Sequence, residues 1–323
     1  MKKINVVITA GGTNEQVDEV RKITNMSTGA LGVKIAQEVM KQQGENLGTL
    51  FYICSKHAKQ PQALEGVNLQ ILYAESAHQL SNAIEDTLKN HTIHYFVHSA
   101  AVSDYTTDYV TSPALIAKDI VEKIQQTIAQ EELQAIVQQV IENPPSAKID
   151  NTSKISSKND QLIVVMKQNE KIISQIKEWS PHTFLVGFKL LNGVSEQELF
   201  DVSFSLLRKN RCNLVLANDL SYIRKGNHIG MLVYPEKKSQ QIIGKDDIAA
   251  HLVDTMFKRG ETRYPKSIQT DETHPMTDEL FRSFKETGKR GRCPCQGTQD
   301  AGGGTENKEA VWQERLADRL EFR

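Results

Sequence analysis

Ile4-Asn-Val-Val-Ile-Thr-Ala-Gly-Gly-Thr13 opens the chain with an apolar run that ends in two glycines. β-Branched residues dominate this run, which is typical of a buried strand. A helical pattern begins near Gly29 and places Leu31, Ile35 and Val39 on one face. Short apolar runs then alternate with helical patterns up to about residue 100. This alternation predicts βαβ units and a parallel sheet.

The same alternation returns in the second half of the chain, after an insertion. Residues 110–150 have a long helical pattern rich in Gln, Glu, Lys and Ile, and we interpret them as a helical insertion. Leu162–Met166, Thr183–Phe188 and Leu214–Ala217 are predicted strands, and residues 229–243 are predicted to form a β-hairpin. The predicted fold is α/β: a Rossmann-like, doubly wound, mainly parallel sheet with a helical insertion and a small β-hairpin near its end.

A change in composition divides the chain near residue 260. Residues 1–259 carry the α/β pattern and are predicted to form one domain. Residues 260–323 contain glycine-rich and charged stretches with few apolar residues, too few to offset the entropy of ordering, which predicts a disordered tail. Cys293-Pro-Cys295 has no second Cys or His pair at the spacing of a metal site, so we expect no metal there.

Overall charge and hydropathy exclude several classes of protein. The chain has 323 residues, with 39 Lys and Arg against 40 Asp and Glu, so its formal net charge is −1. Such a chain produces no overall field that would attract nucleic acid or an anionic membrane. No apolar run approaches the ~18 residues of a spanning helix, so we expect no membrane contact. Four cysteines are too few for a disulfide framework, which favours a cytoplasmic location.

The loop after the first strand combines small residues with groups that bind phosphate. In doubly wound sheets, ligands bind where the parallel strands end, so this loop is a natural place for a site. Glycines allow close approach of a ligand, and hydroxyl and N–H groups at a helix start attract phosphate. The candidates are Gly11, Gly12, Ser27, Thr28 and Gly29, together with Arg21 and Asn25.

This loop lacks the fingerprint of a dinucleotide site. Gly-x-Gly-x-x-Gly is absent, and the second strand ends at Cys54-Ser-Lys56 without the acidic residue that would hold a ribose. An NAD enzyme is therefore disfavoured. Ser55 and Lys56 leave the binding of an NADP phosphate open.

Three further segments carry polar groups beside predicted strands. The loop from His98 to Asp104 has small residues that leave room for a flat ligand, and the Asp104 carboxylate can bind magnesium. Lys154 lies in a polar segment before a strand, and Gly187-Phe-Lys189 ends a buried strand with an aromatic ring that can stack on a base. The sequence has no His-Glu-x-x-His spacing and no Gly-x-Ser-x-Gly elbow, so zinc and serine-hydrolase chemistry have no support.

Six motifs, in this order, resemble the phosphopantothenate–cysteine ligase family, also called phosphopantothenoylcysteine synthetase. They are Thr9-Ala-Gly-Gly-Thr13, Val20-Arg-Lys-Ile-Thr-Asn25-x-Ser-Thr-Gly29, Ser99-Ala-Ala-Val-Ser-Asp104-Tyr105, Lys154-Ile-Ser-Ser157, Gly187-Phe-Lys189 and Ala217-Asn-Asp219. Each motif alone is a weak signal, whereas six in the family's order are specific. The resemblance covers roughly residues 4–259, and it is to the monofunctional bacterial form because no flavin-dependent decarboxylase domain precedes the first strand.

The resemblance implies a reaction of coenzyme A biosynthesis. The family activates the carboxylate of 4′-phosphopantothenate with CTP or ATP and Mg²⁺, which gives an acyl-nucleotide and pyrophosphate. The cysteine amine then attacks to form 4′-phosphopantothenoylcysteine. By the same resemblance, Lys154 would neutralise the α-phosphate, Asn25 would hold the acyl intermediate and Asp104 would bind magnesium. Arg21 would reach across a homodimer interface to the neighbour's substrate.

The resemblance also implies further residues around the nucleotide, and two of these residues would contact the substrate as well. Those implied around the base, ribose and phosphates are His98, Ser99, Ala100, Ala101, Asn169, Ile172, Phe188 and Lys209, in addition to the residues of the first loop. Ala100 and Ala101 would also contact the substrate. Ala30 departs from the family, because many members have Lys or Arg there. Between the two nucleotides, we favour CTP.

Two alternatives stay open at this point. The first is an NADP-dependent reductase on a Rossmann-like sheet, which the missing fingerprint disfavours. The second is a catalytically silent nucleotide-binding relative. The presence of Lys154, Asn25 and Asp104 together favours an active ligase.

Overall fold

Strands and helices alternate along the computed structural model, which describes residues 3–125 and 133–263. The strands are β1 (Ile4–Ala10), β2 (Asn14–Gln16), β3 (Lys22–Thr24), β4 (Leu47–Cys54), β5 (Asn68–Tyr73), β6 (Tyr95–His98), β7 (Tyr105–Thr111), β8 (Ile163–Gln168), β9 (Phe184–Leu191), β10 (Leu214–Asp219), β11 (Ile229–Tyr234) and β12 (Lys238–Ile243). The helices are α1 (Ala30–Gln43), α2 (Ala77–Asn90), α3 (Pro113–Gln125), α4 (Leu133–Glu142), α5 (Ile172–Trp179), α6 (Glu196–Lys209), α7 (Leu220–Arg224) and α8 (Lys245–Arg263). A short 3₁₀ helix, Gly44–Asn46, joins α1 to β4.

The central sheet has the strand order of a Rossmann fold. Its order is β12-β11-β10-β9-β6-β1-β4-β5, and neighbouring strands from β10 to β5 are parallel. Numbered along the chain, these parallel strands run 3-2-1-4-5-6 from the β5 edge, which is the doubly wound order. The β11–β12 hairpin adds two antiparallel strands at the other edge. The predicted fold class, including the hairpin, is confirmed.

The inner parallel strands are covered on both faces, which explains their continuous apolar runs, whereas the edge strand β5 leaves Asn68, Gln70 and Tyr73 exposed. Val6 and Ile8 of β1 belong to a core cluster with residues of α1 and α8. Val7, between them, belongs to a second cluster with residues of α2, α5 and α6. Successive side chains of a strand point to opposite faces, so β1 contributes to both cores. The sheet is therefore the middle layer of three.

Two helices begin where the sequence carries a capping signal. The Ser76 hydroxyl accepts a hydrogen bond from the Gln79 amide at 3.2 Å, and the Ser195 hydroxyl accepts one from the Glu198 amide at 3.1 Å. These bonds satisfy N–H groups that the first turn of a helix leaves unpaired. The starts of α2 and α6 are thus determined locally.

The predicted strand at Leu162–Met166 forms, but it does not join the central sheet. It corresponds to β8, which pairs antiparallel with β7 in a separate two-stranded ribbon. The insertion helices α3 and α4 lie between these two strands in the chain. The α/β alternation thus resumes at residue 162 as expected, but its first strand is not added to the central sheet, which continues with β9. An apolar run predicts a strand, whereas its partner depends on contacts distant in sequence.

A second difference concerns Gly187-Phe-Lys189, which we expected at the end of a strand. These residues lie inside β9, which continues to Leu191. A Cβ atom at Gly187 would come within 3.0 to 3.2 Å of side-chain atoms of Leu206, Cys212 and Ile173. The glycine therefore lets neighbouring residues pack closely against the strand, and it does not end the strand.

The end of the chain is described only in part. Helix α8 runs to Arg263, past the predicted boundary at residue 259. Residues 264–323, which include Cys293-Pro-Cys295 and almost all of the predicted disordered tail, lie outside the described residues. Within the described ranges, no helix is both long enough and apolar enough to cross a membrane.

Candidate functional site

The loops after β1 and β6 meet where the strand order reverses. The Ala101 amide donates to the Gly11 carbonyl oxygen at 2.8 Å, and the Thr13 amide donates to the Ala101 carbonyl oxygen at 3.2 Å. Gly12 and Ala101 form a short parallel bridge. In doubly wound sheets, the crevice at such a reversal is the usual ligand site. The structure therefore brings the predicted residues Gly11, Gly12, Ala100 and Ala101 together at this position.

Asn25 packs over the same two loops. Its side-chain Nδ2 donates to the carbonyl oxygens of Ala101 at 3.3 Å and Val102 at 3.0 Å. A Cβ atom at Gly12 would clash with the Asn25 carbonyl oxygen, so only glycine allows this approach. Because both bonds use the amide hydrogens of Asn25, stabilisation of an oxyanion by this side chain requires one of them to be exchanged.

The start of α1 presents free N–H groups beside this crevice. Gly29 precedes the helix with φ of 72°, and no side chain caps the first turn. A Cβ atom at Gly32 would lie 2.6 Å from the Ala10 Cβ and 3.2 Å from the Ser99 Oγ, so the first turn packs directly against the ends of β1 and β6. An uncapped helix start attracts anions. The predicted Ser27 and Thr28 lie immediately before it.

His98 is held under the crevice in its neutral form. Its side chain is only 7% exposed, and its Nδ1 lies 2.9 Å from the Thr9 Oγ1, which also accepts from the Ala100 amide at 3.2 Å. Burial lowers the pKa of His98 to about 4. The imidazole is thus uncharged near neutral pH. We infer that it supports the loop from 99 to 104.

Asp104 already has a cationic partner. Its Oδ1 forms an ion pair with the Lys171 Nζ, and the two side chains are 62% and 54% exposed. Asn169 holds the two segments together, because its amide donates to the Asp104 carbonyl oxygen at 2.9 Å and its Nδ2 to the Ser103 carbonyl oxygen at 3.0 Å. An exposed pair of this kind contributes little free energy, so Lys171 can be displaced.

The donor set at Asp104 fits a magnesium ion that arrives with a nucleotide. Mg²⁺ commonly takes one or two carboxylates and completes its shell with phosphate oxygens and water. Asp104 supplies one exposed carboxylate at the edge that holds the other candidates. Within residues 3–125 and 133–263, no group of three or more His, Cys, Asp or Glu side chains forms a cage for a metal ion.

Arg21 and the Lys154 segment lie on either side of one buried carboxylate. Asp18 Oδ2 accepts from the Arg21 Nη1 at 2.6 Å and from the Ile155 amide at 3.2 Å. Val17, Val110 and Ile155 pack together beside it. The Lys154 side chain is exposed and has no hydrogen-bond or ion-pair partner among the described residues. The two predicted cations are therefore close in the fold, although 133 positions separate them in sequence.

A cavity of about 530 Å³ opens between the β2–β3 hairpin and the start of α2. Arg21, Lys22, Glu75 and Ser76 line part of its wall. Its volume is within the usual range for a small-molecule site. The cavity is separate from the crevice, since none of residues 98–104 contributes to its wall. Arg21 is the predicted site residue that faces it.

The structure places three further predicted residues as follows. Lys209 ends α6 at the opposite edge of the sheet, where the strands begin, because the nearby Asn213 amide donates to the Leu185 carbonyl oxygen near the start of β9. The structure therefore does not bring Lys209 to the edge that holds the other candidates. Ile172 is buried in the core under α5. Phe188 is half-buried and packs on the α1 side of the sheet.

Sequence reasoning missed three residues that organise the site: Thr9, Asp18 and Lys171. The spacing of Asp18 and Arg21, three positions apart, was a weak signal of an ion pair. Nothing local indicates that Lys171 pairs with Asp104, 67 positions away. Thr9 was visible as part of a motif, but its contacts with His98 and Ala100 are 89 and 91 positions distant.

The fold and the site together define the class: an α/β protein of the Rossmann type with an anion-favouring crevice at the reversal of strand order. The sequence profile of the DNA/pantothenate metabolism flavoprotein C-terminal domain matches residues 1–149 and 116–259. The chain belongs to this family.

Individual relatives agree with the profile. The chain is 26% identical over 255 residues to the coenzyme A biosynthesis bifunctional protein CoaBC of Thermococcus kodakarensis, a match that covers 78% of this chain and 51% of that protein. The chain thus spans about half the length of the curated relatives it matches. The crystal structure of the DNA/pantothenate metabolism flavoprotein from Streptococcus pneumoniae superposes with a TM-score of 0.61 at 30% identity, covering 79% of this chain and 99% of that one.

A more distant structure shares the fold. A Cab2 mutant in complex with phosphopantothenate-cysteine superposes with a TM-score of 0.55 at 18% identity, covering 82% of this chain and 88% of that one.

The buried state of His98 predicts an unusual titration. The ring nitrogens in ¹⁵N-histidine NMR spectra should titrate with a midpoint near pH 4, because burial disfavours the imidazolium. The unfolded chain binds this proton near pH 6.5, so acidification from 6.5 towards 4 should weaken the fold. A His98→Gln variant assigns the signal. A midpoint close to 6.5 in the folded protein would contradict the burial of this ring.

Proposed function

We propose that this chain is a phosphopantothenate–cysteine ligase, which joins 4′-phosphopantothenate to cysteine through an acyl-nucleotide. The observation that carries the proposal is the grouping of Asn25, an uncapped helix start and the Arg21 and Lys154 segments at one edge of a Rossmann-type sheet. Membership of the pantothenate-metabolism family supports it. The compound in the Cab2 complex, phosphopantothenate-cysteine, is the product that this reaction would form.

The first step brings several negative charges together. A carboxylate oxygen of phosphopantothenate attacks the α-phosphorus of the nucleotide, the bond to the bridging oxygen breaks, and pyrophosphate leaves with the electron pair. Catalysis here is mainly positioning and neutralisation of charge. In our proposal Lys154 faces the α-phosphate, and the N–H groups at the start of α1 face a phosphate. Mg²⁺, held in part by Asp104, would reduce the charge on the leaving pyrophosphate.

The second step forms the amide. The cysteine amine attacks the acyl carbon, and the carbonyl oxygen becomes negatively charged. The nitrogen then loses a proton to water, and the nucleoside monophosphate leaves as the carbonyl re-forms. We assign the stabilisation of that oxyanion to the Asn25 amide, which lies against Ala101 and Val102 at the crevice. Asn25 would exchange one of these carbonyl oxygens for the oxyanion.

The other functions that the sequence left open are less well supported. An NADP-dependent reductase would use the loop after β4, but Cys54 and Ser55 there are buried, and the Lys56 amide is bonded to Glu75 at 2.8 Å.

We also propose a cytoplasmic location. Cys54 and Cys212 are buried free thiols, which fits a reducing compartment.

We further propose that the active enzyme is a homodimer in which Arg21 reaches the neighbour's site. The Arg21 side chain is 42% exposed despite its ion pair with Asp18, so its guanidinium remains available to a second chain. A guanidinium suits this role because it can bind a carboxylate or phosphate with two parallel hydrogen bonds.

Release of pyrophosphate tests the proposed reaction directly. Mixing the protein with phosphopantothenate, Mg²⁺ and a nucleoside triphosphate, without cysteine, should release pyrophosphate, because the first step does not need the amine. We expect faster release with CTP than with ATP. If neither nucleotide yields pyrophosphate, the ligase proposal fails; a preference for ATP would overturn only the choice of nucleotide.

Two variants separate the steps. Lys154→Gln should lower the rate of pyrophosphate release by about 100-fold or more, because the cation at the α-phosphate is lost. Asn25→Asp should still release pyrophosphate, yet it should let acyl-nucleotide accumulate when cysteine is present, since a carboxylate cannot donate to the oxyanion. Quenched-flow chromatography of the acyl-nucleotide measures both effects. Identical behaviour of the two variants would contradict the assigned roles.

Complementation tests the shared site. Arg21→Gln and Lys154→Gln should each be nearly inactive alone, whereas their co-expression should restore roughly a quarter of the wild-type activity, because a mixed dimer holds one intact site. Sedimentation of the wild-type protein measures its mass in solution, which should be that of the proposed dimer. No recovery in mixed dimers that are demonstrably formed would show that Arg21 serves its own chain.

A further inference from the structure

Asp18 is a buried carboxylate whose oxygens are fully used. Its side chain is 0% exposed. Oδ1 accepts from the amides of Val20 at 2.9 Å and Arg21 at 2.8 Å. Oδ2 accepts from the Arg21 Nη1 at 2.6 Å and from the Ile155 amide at 3.2 Å. Every contact is therefore a donor that favours the charged form of the acid.

The balance of forces keeps Asp18 ionised. Burial by itself raises the pKa of this carboxyl, but the amides of Val20, Ile155 and Arg21 and the Arg21 charge together hold it below its usual value. A buried carboxylate with four donors is a rigid connection, because displacing any one donor leaves a charged oxygen unsatisfied.

The two segments joined by Asp18 carry different functions in the proposed reaction. One side of the carboxylate holds Arg21, assigned to the substrate, and the other holds the amide next to Lys154, assigned to the nucleotide. A second hydrogen bond joins the same two segments, since the Asn151 Nδ2 donates to the Val17 carbonyl oxygen at 3.1 Å. The exposed Lys154 side chain has no partner of its own among the described residues, so its position depends on its backbone.

We infer that Asp18 is a positioning residue of the ligase reaction, which holds the Lys154 segment in place for its own chain's site and Arg21 in place for the neighbour's site. This inference rests on the proposed function. Asp18 does not touch the reacting atoms; it acts through the Ile155 amide and the Arg21 guanidinium. Loss of the Asp18 carboxylate should therefore slow the first step, in which Lys154 takes part. The decrease in rate should exceed what the accompanying loss of fold stability explains.

Asp119 provides a matched control. It is also buried, and it accepts from the Ser146 amide and hydroxyl and from the Ala147 amide at 2.6 to 2.9 Å. These bonds lie at the base of the insertion and involve none of the proposed catalytic groups. Asp18→Asn and Asp119→Asn thus make the same chemical change in two comparable environments. Only the first change concerns the Lys154 segment.

The experiment compares these two variants with the wild-type protein. At saturating phosphopantothenate and CTP, Asp18→Asn should release pyrophosphate about 10- to 100-fold more slowly than wild type, the usual range for loss of a supporting hydrogen bond at a site. Asp119→Asn should release pyrophosphate at a rate within about twofold of wild type, although its Tm should fall by as much as that of Asp18→Asn. Equal rates for the two variants would overturn the inference.

Hydrogen exchange of the wild-type protein tests the same connection without any substitution. The Ile155 amide should be protected in the absence of ligand, whereas its exposed neighbours Ser156 and Ser157 should exchange rapidly. A rapidly exchanging Ile155 amide would overturn the inference even if Asp18→Asn fails to fold. If wild type releases no pyrophosphate, the proposed function fails and the positioning role of Asp18 in that reaction fails with it. Exchange still decides whether the connection itself exists.

Discussion

Thr9, near the end of β1, joins the two halves of the sheet at the point where the strand order reverses. Its side-chain oxygen contacts both the His98 ring and the Ala100 amide, and its carbonyl oxygen accepts from the Ser99 amide and hydroxyl. The residue is completely buried. The backbone bonds from Ala101 to Gly11 and from Thr13 to Ala101 continue this connection into the loops. Together, the bonds of Thr9 and these backbone bonds set the width of the crevice, over which Asn25 packs.

The sequence allowed the central sheet to be predicted because its signals are local. The run from Ile4 to Ala10 is mostly apolar and is buried from Val6 onward, and Ser76 and Ser195 cap their helices through bonds that span three residues. The ribbon of β7 and β8 was not predicted as such. Its strands are separated by the insertion, and β8 is only half-buried, so the pattern of residues 163–168 indicates a strand but not its partner.

The same distinction applies to the site. Gly12 and Gly29 could be singled out because a close approach and a positive φ have a residue signature. Asp18 and Lys171 could not, because a lone carboxylate or lysine has no signature until its partner is known. Lys209 is a different case: the resemblance implied that this basic helix end binds the nucleotide, but α6 runs against the strands and carries it away from the crevice of its own chain.

The candidate cations are held in two physically different ways, and the difference fits a two-substrate reaction. Arg21 is bound to a fully buried carboxylate that backbone amides also restrain, so displacing it would leave a buried charge unpaired. Lys171 is paired with Asp104 in solvent, where screening makes the pair easy to exchange. In the proposed reaction, the substrate side of the site would therefore be organised before any ligand binds, while the nucleotide side could release Asp104 to a magnesium ion and Lys171 to a phosphate. A near-neutral chain would then bind polyanions by redistributing a few local charges, without a general positive field.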